Sequence, residues 1–266
     1  MITSLGASLV GGTYWFARGP AQPPKPPDPV SVLIADFANS TQDAVFSGLL
    51  EQALAVGVEG ATFVSAYPRR DALRLAGQIK PGGSLDDATA VLVALREGVN
   101  RVIAGAIEKN GDAYKLTVRV VNPSDNTTLL TWDTEARNKD SVLAAVGKAA
   151  AKVRAELGDR SASADQVNDA ESFTAASLEA ARAYTSGQEL QWAGKYDEAL
   201  KAYQTAAELD PTMGRAYSGM GAAASSMGRR QDAEEYYKQA LARTGRMTDR
   251  EKYRTRSGYC LLTRNT

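Results

Sequence analysis

GQELQWAGKYDEALKAYQTAAELDPTMGRAYSGMGAAASSMGRRQDAEEYYKQA, residues 187–240, carries one pattern twice at a spacing of 34 residues. Gly187, Gly194, Ala199, Tyr203 and Ala206 recur as Gly221, Gly228, Ala233, Tyr237 and Ala240. A fixed period with small residues at fixed slots marks a unit that stacks on copies of itself. Within each unit the apolar residues keep helical spacing on both sides of a glycine, which predicts two helices joined by a tight turn. In the first unit, helix A runs from about Leu178 to Trp192, Gly194 makes the turn and Tyr196 opens helix B. Leu209-Asp210-Pro211 ends it, because proline cannot continue a helix. The second unit runs from Met213 to Leu241, with Tyr217 in a large-aromatic slot and Gly245 in place of the terminal proline. Thr248-Asp-Arg-Glu251 is a capping box, so a further helix starts there, with Tyr253, Tyr259, Leu261 and Leu262 as its apolar face.

The repeat resembles the tetratricopeptide repeat, which implies binding of a protein or peptide and not chemistry. Stacking exposes the inner face of each helix A as a groove. By position that groove is offered by Tyr184, Gln188, Gln191 and Trp192 from the first unit, and by Arg215, Ser218, Ser225 and Ser226 from the second. Tyrosine and tryptophan suit a binding surface because they bury area at low entropic cost. The competing reading is that these are ordinary solvated positions, with Trp192 partly covered by a neighbouring domain. About three units are needed to bury a continuous core, so the C-terminal end is expected to be weakly held.

Upstream, residues 30–158 read as a second domain. Val30 to Phe37 is a β-rich apolar run, and Phe46, Leu49, Leu50, Ala53 and Leu54 then recur at helical spacing. Ala61–Ala66 is a short strand, Pro68 opens a helix, and Leu85–Gly98 is another with Ser84 as its cap. The period then changes from helical to alternating. Arg101–Ile107 is a strand, Asn110-Gly111 a hairpin turn, and Ala113–Val121 a strand with Tyr114, Leu116, Val118 and Val120 on one face. Thr127–Ala136 returns with Leu129 and Trp132, and Ser141–Leu157 closes as an Ala-rich helix ended by Gly158. The expected fold is an α+β mixed-sheet domain of about five strands with packed helices, followed by an all-α helical array. A polar linker at 159–171 separates it from the repeats at 172–266.

The stretches VLIADFANSTQDAVFSGLLEQAL, RVIAGAIEKNGDAYKLTVRVVNPSDNTTLLTWDTEA and VLAAVGKAAAKVRAELGD resemble the TolB amino-terminal-type α/β domain. The combination with tetratricopeptide repeats is similar to the extracytoplasmic region of certain bacterial membrane-anchored serine/threonine protein kinases. Related regulators carry a winged-helix DNA-binding domain in the kinase's place. No kinase motif occurs in this sequence: a Gly-rich nucleotide loop after a strand, an HRD-type loop and a DFG triplet are all missing. The resemblance therefore implies the regulatory region of such a kinase or regulator, with the effector outside this chain, and a fragment or shortened relative is expected.

Ile2–Ala17 carries no charge and ends in Tyr14-Trp15-Phe16, an aromatic collar of the kind found at membrane interfaces. Residues 19–29 hold a run of prolines that makes an extended spacer. A membrane span, a secretory signal and a start without ordered structure all fit this segment; the first predicts an anchor at 1–18, and the resemblance to the kinase regions implies a location at the bacterial inner membrane with the folded part on the periplasmic side.

Chemistry is restricted by composition. The chain has no histidine and one cysteine, Cys260, so His-based triads, His-containing zinc sites, thiolate clusters and intrachain disulfides are excluded. Cys260 is expected to be a small core residue. The 31 basic and 31 acidic residues balance, which gives no overall field for nucleic acid. No cofactor, no metal and no enzymatic activity are expected. Gly219-Met-Gly221-Ala-Ala-Ala224 imitates a dinucleotide fingerprint but lies inside a helix, after no strand. Asp36, Asp43 and Glu51 are expected as caps and surface carboxylates, without the close clustering a metal requires.

Overall fold

The computed structural model describes residues 28–160 and 177–264. The expected anchor, most of the proline spacer and nearly all of the linker lie outside the described residues. Among those described, no helix is long and apolar enough to cross a membrane.

The sheet is mixed and has six strands: β1 (Val30–Ile34), β2 (Ala38–Asn39), β3 (Val64–Ala66), β4 (Arg101–Asn110), β5 (Ala113–Asn122) and β6 (Thr127–Ala136). Its order is β3-β1-β4-β5-β6, with β2 also on β4. β1 runs parallel to both β3 and β4, while β4, β5 and β6 form an antiparallel meander. The extra strand arises because the expected run to Phe37 breaks after Ile34 and resumes on β4 further along. At the break the Phe37 N–H leaves the ladder and donates to the Glu51 carboxylate at 2.8 Å.

Four helices cover this sheet: α1 (Leu49–Val58), α2 (Arg69–Ile79), α3 (Asp87–Glu97) and α4 (Val142–Glu156). Side chains alternate along a strand, so β1 feeds two cores. Val32 and Ile34 pack with α1 and α4, whereas Leu33 and Ala35 pack with α2 and α3. The cap of α3 is Asp86, whose side chain accepts the Thr89 N–H at 2.8 Å, and not Ser84. In β5 the four expected residues are buried. In β6 the core-facing residues are Leu130 and Trp132, because a register shift beside Val120 and the strand's even parity leave Leu129 outside.

The β4–β5 turn is Gly111-Asp112, one residue later than expected, since Asn110 pairs with Ala113. Gly111 has φ +63°, a region that disfavours a Cβ. Gly111→Ala is expected to lower stability by about 1 kcal/mol in urea melts without changing the sheet content by circular dichroism.

Five helices complete the chain: α5 (Leu178–Trp192), α6 (Tyr196–Leu209), α7 (Gly214–Ser226), α8 (Arg230–Leu241) and α9 (Asp249–Arg264). Three-residue turns containing Gly194 and Gly228 close two helical hairpins, and α9 packs on α8. Leu178, Ala181 and Tyr184 of α5 belong to the same apolar cluster as Phe46, α1 and α4, so sheet and repeats share one core. The C-terminal helix is also tied to the sheet domain: Arg250 binds the Glu59 carboxylate and the Val64 carbonyl. The expected apolar face of α9 is largely in water, with Tyr253 66% and Leu261 71% exposed, and Cys260 is exposed as well. The residue α9 buries is Thr255, which stands one period after Gly221.

Candidate functional site

Close packing between repeats depends on Tyr203. Its ring is 2% exposed and lies where a Cβ on Gly187 or Gly219 would come within 2.6 and 2.7 Å. Both glycines of the false fingerprint are thereby accounted for, because Gly221 stands against Tyr237 in the same way. The Tyr203 hydroxyl donates to Gln191 Oε1 at 2.8 Å, and its ring meets that of Tyr184 at 5.6 Å. Burial pushes the Tyr184 phenol up to about 12 and raises that of Tyr203, so both stay neutral donors at neutral pH.

Six of the eight groove positions come together. Tyr184, Gln188, Gln191, Trp192, Arg215 and Ser218 line one cleft of about 170 Å³ between α5, α7 and α9. Ser225 and Ser226 do not reach it; they sit exposed on the last turn of α7, where Ser226 donates to the Ala222 carbonyl. Several members are already engaged. Arg215 is 3% exposed, pairs with Glu251 at 3.2 Å and donates to the Arg246 carbonyl at 2.9 Å. The Ser218 and Thr255 hydroxyls lie 2.9 Å apart. These residues join one repeat to the next, so they shape the cleft more than they face it. The available surface is Trp192, Gln188 and Arg254. Arg254, Glu251 and Thr255 come from the helix past the second unit, and their spacing alone does not place them here. The Thr248–Glu251 capping box, which the sequence does show, fixes the start of that helix: Thr248 N–H meets Glu251 at 2.9 Å.

A second cavity, of about 340 Å³, opens beside the first at the carboxyl ends of β1 and β3. Gln188, Trp192 and Arg254 line both, so Trp192 is the partition between repeat cleft and sheet domain. On the sheet side the three early carboxylates have separate duties. Asp43 caps the turn at Ala44–Phe46 and pairs with Lys139 at 2.7 Å, which hold its carboxyl below the ordinary range. Asp36 accepts from Arg69 Nη2 at 2.6 Å and from the Leu85 N–H at 2.9 Å. Glu51 is neither a cap nor at the surface: it is 3% exposed, and burial raises its carboxyl above the ordinary value, against the pull of Arg69. Among the described residues no group of three or more acidic or thiol side chains is placed to hold a metal.

Two family models match the helical half: one described as TPR repeat over residues 187–228, the other as Tetratricopeptide repeat over 216–251. That half is built of tetratricopeptide repeats. No curated protein matches the chain. Among solved structures, the LpoB C-terminal domain from Salmonella enterica is similar at 15% identity and a TM-score of 0.38, over 44% of this chain and 89% of that one. TolB from Acinetobacter baumannii is similar at 11% identity and 0.33, over 50% of this chain and 28% of that one. Lipoprotein GNA1162 from Neisseria meningitidis is similar at 17% identity and 0.36, over 50% and 99%. These scores are too low to assign a fold or a role.

Proposed function

We propose that the chain is a non-catalytic docking module whose repeats hold a protein or peptide segment in the cleft between α5, α7 and α9. The observation that carries this reading is the convergence of six helix-A positions from two repeats on one open cleft, with half-buried Trp192 at its wall. A rigid cleft wall with an aromatic anchor is what peptide recognition uses, since little entropy is lost on binding. The sheet domain serves as the base, because its core continues into α5.

The test is selection of short random peptides on the immobilised full chain. Enriched peptides are expected, and their capture should fall at least about tenfold in Trp192→Ala combined with Arg254→Ala. Both side chains are partly or fully exposed, so the variant keeps its fold. Absence of enrichment, or capture unaffected by the double change, would refute the cleft as the docking site.

The uncharged run at 2–17 and the proline spacer support tethering of this module to a membrane, and the resemblance to extracytoplasmic kinase regions supports the bacterial inner membrane with the folded part outside the cytoplasm. Fractionation of the full chain into the soluble pool would exclude the tether. A second reading rests on the stretches that resemble the TolB amino-terminal-type domain: the module is the regulatory region of a serine/threonine kinase or transcriptional regulator. Mapping the natural reading frame upstream of Met1 tests it, and a frame without an effector domain removes it.

A further inference from the structure

The cavity at the ends of β1 and β3 has features the peptide cleft does not explain. β1 leads into α1 on one face of the sheet, while β3 leads into α2 on the other. Adjacent parallel strands whose connections part in this way leave a crevice at their carboxyl ends, where open α/β sheets bind small ligands. Three residues lining the crevice carry buried polar atoms without a partner: Glu51 Oε2, Arg69 Nη1 and Gln188 Oε1. The other end of each sheet-side group is fixed. Glu51 Oε1 takes the Phe37 N–H, and Arg69 Nη2 is held by Asp36. A buried polar atom left unpaired is costly, and three in the lining of one cavity call for a ligand that satisfies them.

We propose that this crevice binds an α-amino carboxylate. Arg69 Nη1–H meets the ligand carboxylate, and the ligand amino group donates to Glu51 Oε2 and Gln188 Oε1. The donor and acceptor inventory selects this class. Phosphate or sulfate would satisfy Arg69 but set an anion against two acceptors. A simple amine would satisfy the acceptors and leave Arg69 Nη1 without an acceptor. The volume admits a medium-sized side chain, and Ile34, Ala55 and Trp192 supply apolar wall for it. The unit comes either from a free amino acid or from the last residue of a peptide chain, which presents a carboxylate with an amide N–H. The inference stands apart from peptide docking in the repeat cleft, and no peptide capture is needed to test it.

The test is calorimetric titration of the full chain with L-leucine, L-methionine, glycine, N-acetyl-L-leucine and L-leucinamide. Ligands this small bind with Kd on the order of 0.1–1 mM, so titration to about 10 mM suffices. Saturable binding of leucine is expected, with leucinamide at least about tenfold weaker because it lacks the carboxylate. Leucine binding better than N-acetylleucine assigns the free amino acid; equal or better binding of N-acetylleucine assigns a chain terminus. Glu51→Gln and Gln188→Leu are each expected to weaken binding about tenfold. Glu51→Gln keeps an acceptor for the Phe37 N–H, and Gln188→Leu is independent of that bond, so the two check each other. Saturable binding of none of the probes, leucinamide equal to leucine, or wild-type affinity in both variants would overturn the proposal.

Discussion

Tyr203→Ala is expected to lower the stability of the chain by about 3–5 kcal/mol, the range for truncating a buried aromatic side chain. The size follows from where the ring sits. It fills the space between α5 and α7 left open by Gly187 and Gly219, and each of those glycines approaches it more closely than a Cβ would allow. Removing the ring leaves a cavity that two backbones cannot close, because the hairpin turns at Gly194 and Gly228 fix how far the helices can move. Gln191 Oε1 also loses its donor. Tyr203→Phe isolates that last contribution and should cost only about 1 kcal/mol. The converse change, Gly187→Ala, puts a methyl group against the same ring and should cost about 1–3 kcal/mol through overpacking. Urea melts read all three. Amide exchange should show the loss spreading from α5–α8 into α1 and α4, since they share one apolar cluster. A Tyr203→Ala loss below about 1 kcal/mol would mean that the repeats do not close on this ring.

The same ring shows why the repeat half was legible. A 34-residue period with glycine facing tyrosine at fixed slots encodes a contact that recurs, so sequence spacing and spatial contact coincide. The period fails at the edge of the array. One period after Gly219 is Tyr253, which faces water, while Gly258 is the residue that meets Tyr237. The helix that supplies Arg254 and Thr255 to the cleft is thus seated differently from its predecessor, and no residue pattern announces that shift. In the sheet half, alternation identified the buried face of β5 because that strand is central. The break after β1 was hidden because it depends on a carboxylate 14 residues away accepting the Phe37 N–H. Glu51 was misplaced for the same reason. A lone acidic residue two positions into a helix reads as a dipole-complementing surface charge, and only the tertiary packing of α1 against β1 shows that it is enclosed.

Glu51→Gln is expected to stabilise the chain at neutral pH by about 1 kcal/mol, because the amide removes a charge that burial disfavours, and to remove part of its pH dependence. The Glu51 carboxyl titrates above its ordinary value of 4.5 because burial opposes the charged form more than Arg69 favours it. The folded chain therefore holds this proton more tightly than the unfolded chain does. Stability from Glu51 is fully present below about 4.5 and is lost as pH rises from there through the raised folded value, beyond which it changes no further. Gln188, Arg254 and the Asp36–Arg69 pair share the crevice. Urea melts of wild type and variant should agree near pH 4.5 and separate as pH rises, with the variant ahead. Identical slopes for the two would show that Glu51 is not the titrating group. A stabilising substitution at a residue that accepts a main-chain N–H is unusual, because one oxygen of Glu51 is structural and the other has no structural partner. Glutamine serves the first duty equally well. The charge on the carboxylate lowers stability because burial outweighs the pull of Arg69, as expected of a group retained for a ligand and not for packing.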